Sequence, residues 1–303
     1  MSTAETPGIQ VWNRQTGLLE REQVLGEQWL SRAYGTRLGR FVSDRVLAKQ
    51  WVSRCAGLFN DSSFSAKKIP DFIREFKIKI DEYESPKAWR SFNEFFIRKF
   101  KPGARNFVAL SEQMPAFSEA RYFGFESVTE ISQKEVQVKG VRLTAEKLLG
   151  DLGLGGTFEN GPLLIARLCP TDYHRFHFPD DGTLEKAFPI RGPYHSVNPV
   201  ALNARPGILA ENERYVSILQ TQNFGKLAYV EVGAMCVGRI VQTHVGPAFK
   251  RGDEKGYFLF GASTVIVLGE QGRWVPSIDI LEQTRQAHET FVRLGEPVAQ
   301  STG

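Results

Sequence analysis

The sequence predicts an α+β protein, with helices in the first third of the chain and β-strands in most of the rest. Two observations lead to this prediction. Between residues 20 and 100, apolar residues recur at three- and four-residue steps, as they do on one face of a helix. Beyond Lys101, Pro102 and Gly103 they occur instead in short runs that Gly and Pro interrupt, which is typical of β structure with tight turns.

The helical pattern falls into separate stretches. The first has an apolar face made of Leu38, Phe41, Val42, Val46, Val52, Cys55 and Phe59. A second helix is expected to begin at Pro70, because proline is favoured in the first turn of a helix, and to carry Phe72, Ile73, Phe76 and Ile80. A third is expected over residues 91–97. A further helix is expected downstream, from Asp279 to about Leu294.

Runs of β-branched and aliphatic residues predict the strands. They cover residues 136–139, 162–166, 225–232, 239–241 and 263–268. The segment 233–238 resembles the bend of the hammerhead domains that carry biotin or lipoate, which favours a compact, barrel-sandwich-like arrangement. Those domains present a modifiable lysine at the bend, whereas Met235 and Cys236 stand there here, so a swinging-arm carrier is disfavoured. We expect a helical, basic portion over residues 1–105 and a β-rich portion over 106–303, together forming one unit.

Composition and termini favour a protein of the cytosol. The chain is 42% hydrophobic and 24% charged, as in ordinary globular proteins. No apolar run approaches the roughly 20 residues that span a bilayer, and the N-terminus lacks the basic-then-apolar pattern of a signal peptide. Cys55, Cys169 and Cys236 are scattered, so neither a disulfide framework nor a metal site is indicated. We expect the protein to stay in the cytosol or to bind a membrane face from there.

The net charge of +4 conceals an uneven distribution. Residues 21–105 contain 18 Lys and Arg against 10 Asp and Glu, a local excess of +8. Such a portion suits an anionic lipid surface, where each nearby cation contributes about 1 kcal/mol. A solvated basic face is the alternative. Nucleic acid is disfavoured as a partner, because the charges are dispersed and no recognition motif is present.

The tetrapeptide Gly261-Ala262-Ser263-Thr264 places a hydroxyl after two very small residues. Small residues leave the carbonyl ahead of Ser263 open to attack, and Gly261 tolerates backbone torsions that strain other residues. A self-cleaving serine needs both properties. A structural bend between two strands is the ordinary alternative for such a tetrapeptide.

A hydroxyl is a poor nucleophile until a base takes its proton. His174 and His177 lie three residues apart, beside aromatic residues that would exclude water. On an extended strand this spacing would point them to opposite faces, whereas on a turn or helix they could converge. The pair is therefore a candidate for chemistry rather than for packing alone.

These segments together resemble the phosphatidylserine decarboxylase family, from about Trp12 to Glu296. The resemblance is carried by residues 167–179, 194–199, 229–240, 250–257 and 260–268. It implies self-cleavage between Ala262 and Ser263 and conversion of Ser263 into a pyruvoyl cofactor, with no metal. It further implies decarboxylation of phosphatidylserine to phosphatidylethanolamine and CO₂.

The resemblance also implies roles for particular residues. By position, His177 is the base for self-processing and His174 assists decarboxylation, while Tyr173 and His195 are candidate pocket residues. The family completes a triad with an aspartate, and the matching stretch here places Glu119 at that position. The extra methylene moves the carboxylate by about an ångström, and misplacement on that scale can cost roughly 100-fold in rate.

Two other functions remain as alternatives. One is an unprocessed, catalytically silent protein that binds a lipid surface, which would follow if Glu119 fails to support processing. The other is a decarboxylase of a soluble amino acid on the same scaffold. The expected partners are a phospholipid membrane, phosphatidylserine and the chain's own two fragments as a heterodimer, with homo-oligomerisation left open. The expected location is peripheral, on the cytoplasmic side of the cell membrane.

Overall fold

The described residues contain helices on both sides of residue 100 and most of their strands after it, so the predicted α+β class is confirmed. Helices after residue 100 are more numerous than predicted. The computed structural model describes residues 9–22, 50–84, 88–129, 143–150, 153–204, 207–234, 239–261 and 263–303. Its helices are α1 (Gln50–Asp61), α2 (Ile69–Glu75), α3 (Phe92–Phe96), α4 (Ala145–Leu149), α5 (Gly155–Phe158), α6 (Pro199–Ala204), α7 (Ile208–Glu211) and α8 (Ile278–Arg285), with 3₁₀ turns at Ser63–Lys68 and Ile80–Glu82.

The strands of the described segments run from residue 10 to residue 301. They are β1 (Gln10–Asn13), β2 (Leu18–Arg21), β3 (Gln113–Pro115), β4 (Ala120–Phe125), β5 (Leu163–Leu168), β6 (Arg175–His177), β7 (Gly182–Ile190), β8 (Arg214–Thr221), β9 (Lys226–Val232), β10 (Ile240–Gln242), β11 (Ala248–Phe249), β12 (Glu254–Phe258), β13 (Ser263–Gly269), β14 (Trp274–Pro276), β15 (Glu289–Val292) and β16 (Pro297–Ser301).

One large sheet organises these strands. Its order is β11-β7-β8-β9-β13-β5-β4-β15-β1-β2, and two smaller sheets have the orders β10-β12-β6 and β14-β16-β3. Strand β13 lies inside the large sheet, hydrogen-bonded to β5 on one side and β9 on the other. All seven residues of β13 are buried, as expected for a run rich in β-branched residues that is covered on both faces. Ser263 is the first residue of this strand.

The first helices form a separate aromatic cluster beside the large sheet. Its buried members are Ile69, Phe72, Phe92, Phe95 and Phe96, and Phe260 packs against them. The Ser91 side chain accepts a hydrogen bond from the Glu94 N–H and thereby caps α3. The cluster therefore brings the helical segments into contact with the residues just ahead of β13.

Helix α3 and four of the five predicted strands lie within two residues of their expected bounds, whereas α2 ends at Glu75 and does not reach Ile80, since Lys77 has a φ of 52°. Helix α2 has Pro70 in its first turn, α3 falls within residues 91–97, and four of the five predicted strands appear as β5, β9, β10 and β13. The fifth predicted strand, 136–139, lies outside the described residues, as do the members of the first helical face before residue 50.

Several described elements differ from the prediction or were not predicted, among them helices α4–α7 and the long strands β7 and β8. The helix expected from Asp279 to Leu294 ends at Arg285, and the chain turns through Ala287, whose φ is 61°, into strand β15. The helical pattern also gave no sign of the β1–β2 hairpin, in which β1 pairs with β15 in parallel. Each strand of this hairpin has only four residues, which is too short to show the alternation of apolar and polar residues that predicts a strand. The division of the chain at residue 105 stays a prediction.

Candidate active site

Ser263 is fully buried, and its backbone lies opposite Leu168 of β5. Two residues earlier, Gly261 has a φ of 147°, a torsion that residues with a Cβ rarely adopt. Gly261 therefore adopts the kind of backbone torsion that was expected at this position and that strains other residues. Ala262, the partner of Ser263 in the predicted cleavage, lies outside the described residues.

His174 contacts the Ser263 side chain. Its Nδ1 lies 3.4 Å from the Ser263 Oγ, while its Nε2 lies 2.8 Å from the carbonyl oxygen of Cys169. A carbonyl only accepts hydrogen bonds, so Nε2 carries the proton in this arrangement and Nδ1 has a free lone pair. That lone pair faces the serine hydroxyl. The contact is long for a hydrogen bond, as is common before a reaction complex forms.

The surroundings of His174 keep the imidazole neutral. The ring is buried and stacks on Phe96, with ring centroids 3.8 Å apart. Burial lowers the pKa of His174 from 6.5 to about 3, with a smaller opposing effect from the bond to Cys169 and further lowering by Arg98 and Arg121. A neutral imidazole can accept a proton, which an imidazolium cannot.

His177 lies at the end of β6 with both ring nitrogens engaged elsewhere. Nδ1 lies 2.9 Å from the Gly252 carbonyl oxygen, and Nε2 lies 3.1 Å from the Tyr173 hydroxyl. The carbonyl requires a proton on Nδ1, so the Tyr173 hydroxyl donates to Nε2. Burial lowers the pKa of His177 as well. The two histidine side chains thus point in different directions, as expected for residues three apart on an extended strand. His174 contacts Ser263, and His177 does not.

Glu119 is bound by an arginine. Its two carboxylate oxygens accept hydrogen bonds from Nε and Nη2 of Arg105, at 2.6 and 2.9 Å, and the Leu294 N–H donates to one of them at 3.2 Å. Both partners are nearly buried. Within the described residues, no hydrogen bond joins Glu119 to either histidine of the pair. The connections are indirect: Arg105 covers the Phe100 ring, which stacks on Tyr173, and the His177 N–H donates to the carbonyl of Phe117, two residues before Glu119.

The two candidate pocket residues lie in different surroundings. Tyr173 is buried between Phe100 and His177, and its hydroxyl meets the second histidine rather than Ser263. His195 is buried in a segment whose backbone is held by the side-chain amide of Asn212. Only Tyr173 therefore lies beside the histidine pair in the contacts described.

A closed turn that the sequence analysis did not identify holds His174. The Asp172 carboxylate accepts from the Cys169 N–H at 2.7 Å, and the Asp172 N–H donates to the Cys169 carbonyl at 2.9 Å. Arg121 forms an ion pair with the same carboxylate. The Cys169 carbonyl that fixes the His174 tautomer is thus itself fixed. The signal available in the sequence was the acidic residue at the start of the histidine segment.

The chemistry of the site fits a group formed from Ser263 itself. A pyruvoyl group at position 263 would stand at the start of a buried strand, beside a neutral imidazole and the Phe96 and Phe260 rings. Such a position is buried, and the lone pair of the His174 Nδ1 can accept a proton there. Within the part of the chain that is described, no helix is both long and apolar enough to cross a membrane.

Comparisons with known proteins agree with these observations. The sequence profile of the phosphatidylserine decarboxylase family matches residues 92–300. A phosphatidylserine decarboxylase proenzyme of Ruminiclostridium cellulolyticum is 39% identical over 292 residues, covering 96% of this chain and 97% of the relative. Proenzymes of the same name from Clostridium kluyveri and Clostridium perfringens are each 40% identical over 96% of this chain, covering 98% and 99% of their own lengths. The chain therefore belongs to the phosphatidylserine decarboxylase family of carboxy-lyases.

Proposed function

We propose that this chain is a proenzyme that cleaves itself between Ala262 and Ser263, and that the processed protein decarboxylates phosphatidylserine to phosphatidylethanolamine and CO₂. One observation carries the proposal: the Ser263 hydroxyl faces the unprotonated Nδ1 of a buried, neutral His174. The relatives reported above are named proenzymes, which supports a processing step.

In the first step, the Ser263 Oγ attacks the Ala262 carbonyl carbon and His174 takes the hydroxyl proton at Nδ1. The C–N bond between the two residues breaks, the Ser263 nitrogen takes up a proton, and an ester joins Ala262 to the Ser263 Oγ. The bond from Nε2 to the Cys169 carbonyl keeps the ring oriented throughout. The closed turn held by Arg121 and Asp172 supports that carbonyl.

In the second step, loss of the Cα proton of residue 263 and departure of the Ala262 carboxylate leave a carbon–carbon double bond at that residue. Tautomerisation and addition of water then release ammonia and leave a pyruvoyl group at position 263. This group supplies an electron sink for the electrons that CO₂ leaves behind. Phe96 stacks on the His174 ring and meets Phe260 edge-on, so apolar rings surround the imidazole that faces this position.

The two fragments are expected to remain together as a heterodimer. Residues 263–303 begin with β13, which is hydrogen-bonded to β5 and β9 of the other fragment along nearly its whole length. Strand β15 of the same fragment also pairs with β4 and β1. Separating the fragments would expose the centre of the large sheet.

Attachment to the cytoplasmic side of a membrane is part of this proposal. Leu58, Phe59 and Phe64 are exposed apolar side chains on and after α1, and Lys67 and Lys68 follow them directly. Apolar side chains beside lysines suit the boundary between acyl chains and anionic headgroups.

A groove extends from this surface to Phe260. It has a volume of about 450 Å³ and is lined by Ala56, Phe59, Lys68, Phe72, Phe92 and Phe260, among others. Phe260 stands three residues before Ser263. The groove therefore leads from the apolar, basic surface toward the start of β13, as a lipid substrate requires.

The experiment that tests the proposal combines intact mass with activity. Purified protein is expected to contain a light chain of residues 263–303 with a blocked N-terminus, and Ser263→Ala is expected to remain one chain. The processed protein should release CO₂ from vesicles of phosphatidylserine. A single intact chain would support the silent lipid-binding alternative, whereas release of CO₂ from free amino acids alone would support the soluble-substrate alternative.

A further inference from the structure

We infer that Asn93 is a positioning residue for self-cleavage, because its side chain fixes the backbone just ahead of the scissile bond to the helical segments. This inference rests on the proposed cleavage at Ser263. It concerns a residue that touches neither the nucleophile nor the base, and that acts through the segment entering β13.

Asn93 bridges two parts of the fold. It is 2% exposed, and its Oδ1 accepts a hydrogen bond from the Phe260 N–H at 2.9 Å. Its Nδ2 donates to the Asp61 carboxylate at 2.8 Å, with a longer contact of 3.5 Å to the Gly57 carbonyl. Both ends of the amide are therefore engaged, one by the end of α1 and one by the chain that leads to Ser263.

The Phe260 N–H has a special place in the backbone. The ladder of β13 begins only at Ser263, so the residues ahead of it are held by other groups. Gly261, the next residue, has a φ of 147° and imposes little conformational restriction of its own. The bond from Asn93 is thus a fixed point immediately before the flexible glycine. Without it, the position of the scissile carbonyl relative to Ser263 is less well determined.

The same short helix also holds the base. Phe96, one turn after Asn93 in α3, stacks on the His174 ring at 3.8 Å. Phe92 and Phe96 each make an edge contact with Phe260, with centroids 5.1 Å apart. Helix α3 therefore touches both reacting sides, and Asn93 is its polar connection to the substrate side. A shift of about 1 Å in such a geometry can cost roughly 100-fold in rate.

Ser65 provides a matched control. Its Oγ accepts a hydrogen bond from the Phe92 N–H at 2.9 Å, and its hydroxyl donates to backbone carbonyls of Asn60 and Ser62. It is fully buried and joins α3 to the same helical segments as Asn93 does. Its hydrogen bonds end on α3, however, and do not reach Phe260. A loss of helix packing alone would affect both residues alike.

The test measures the self-cleavage half-time of newly translated chains in a cell-free system, together with the melting temperature of the Ser263→Ala form of each variant. Asn93→Leu is expected to lengthen the half-time by about 100-fold. Ser65→Ala is expected to lower the melting temperature about as much as Asn93→Leu does, because each variant removes a buried hydrogen bond of α3. It is expected to leave the half-time within about twofold of the parent, because the Phe260 N–H keeps its bond to Asn93.

A paired exchange of side chains guards against a folding defect. Asn93→Asp alone places two carboxylates together and should slow cleavage. Adding Asp61→Asn restores a donor on α1 and leaves an acceptor for the Phe260 N–H, so the double variant is expected to recover most of the parent rate. If Asn93→Leu does not fold, the comparison of Asn93→Asp with the double variant tests the inference in its place.

The outcomes separate a failure of the proposed function from a failure of the inference about Asn93. If the parent does not cleave, the proposed function fails. If the parent cleaves and Asn93→Leu cleaves equally fast, the inference alone is wrong. It is also wrong if Ser65→Ala slows cleavage as much as Asn93→Leu does at an equal loss of melting temperature. A double variant that melts at the same temperature as the parent, but cleaves as slowly as Asn93→Asp, would contradict the inference as well.

Discussion

The Nδ1 of His174 lies 3.4 Å from the Oγ of Ser263, and the Nε2 of the same ring is bound to the Cys169 carbonyl. These two contacts together define the tautomer and the direction of proton transfer. They also distinguish the two histidines of the segment, because His177 binds Tyr173 and Gly252 instead. The family resemblance assigns the processing role to His177, so the two assignments lead to different predictions.

Variants of the two histidines decide between these assignments. His174→Ala is expected to slow self-cleavage by at least about 100-fold, the usual contribution of a positioned base. His177→Ala is expected to slow it less, since the loss acts through Tyr173. Half-times from gel densitometry of newly translated chains give the comparison. His288→Ala is the control, because His288 lies just ahead of β15, which β4 and β5 separate from β13 in the large sheet. A block in His177→Ala with rapid cleavage in His174→Ala would assign the base to His177.

The pH dependence of cleavage follows from the environment of His174. Burial lowers its pKa to about 3, so the proton-accepting form predominates at all higher pH values. The cleavage rate is therefore expected to be nearly constant between about pH 5 and 8, because the fraction of free base does not change there. Rates measured across that range check this. A rise with an inflection near pH 6.5 would indicate a base with an ordinary imidazole pKa.

The sequence predicted the elements that carry a strong local signal. The apolar run 263–268 could be assigned to a strand because it is long, β-branched and bounded by glycines, and α2 because Pro70 marks its start. The β1–β2 hairpin could not be predicted, since its pairing with β15 joins residues nearly 280 positions apart. Register of that kind depends on tertiary contacts that a local pattern does not contain.

The site was predicted by residue type and only partly by geometry. Ser263 and the histidine pair were identified from the sequence, but the spacing left open which histidine would face the serine. The answer depends on the extended path of β6 and on the turn from Cys169 to Asp172, neither of which a two-residue motif specifies. Asn93 was missed altogether, because it gives no signal within its own helix and acts through a distant backbone amide.

Replacement of Glu119 separates a structural from a catalytic role. The structure pairs its carboxylate with Arg105, so Glu119→Gln should leave a nearly buried guanidinium with only Glu82 as an anionic partner. Breaking such a pair costs a few kcal/mol, on the order of 3, so unfolding by urea should begin at lower concentration. Cleavage is expected to slow less than tenfold. A strong block in a variant that is folded at the assay temperature would instead support the triad role implied by the resemblance.

Binding to vesicles should depend on the apolar side chains beside the lysines. The double variant Leu58→Ser/Phe64→Ser is expected to weaken binding to phosphatidylserine-containing vesicles by at least about tenfold, because burial of one large apolar side chain contributes about 1.5–3 kcal/mol. Co-sedimentation measures this, and Val245→Ser, which alters a still more exposed apolar residue in another region, serves as control. High salt should weaken binding further by screening Lys67 and Lys68. Equal binding by both variants would exclude this surface.

Acid should destabilise the protein through Glu22. Burial alone would raise the pKa of this carboxyl, but the guanidinium groups of Arg167 and Arg121 lower it from 4.5 to about 2. A carboxyl with a lowered pKa stabilises the fold fully above its unfolded value, and the contribution disappears as the pH falls from about 4.5 through 2. Asp172 behaves oppositely, since burial raises its pKa to about 6 and its contribution is therefore lost as the pH rises through that value.

Comparison of the parent with Glu22→Gln isolates the first effect, because Asp172 is present in both proteins. Between pH 5 and 3, the free energy of unfolding of the parent should fall by at least about 1 kcal/mol more than that of the variant. Urea unfolding at both pH values, on Ser263→Ala chains so that every sample is one chain, gives the two slopes. Parallel slopes would show that Glu22 has an ordinary pKa, and hence that its pairing with Arg167 contributes little to the stability of the sheet at neutral pH.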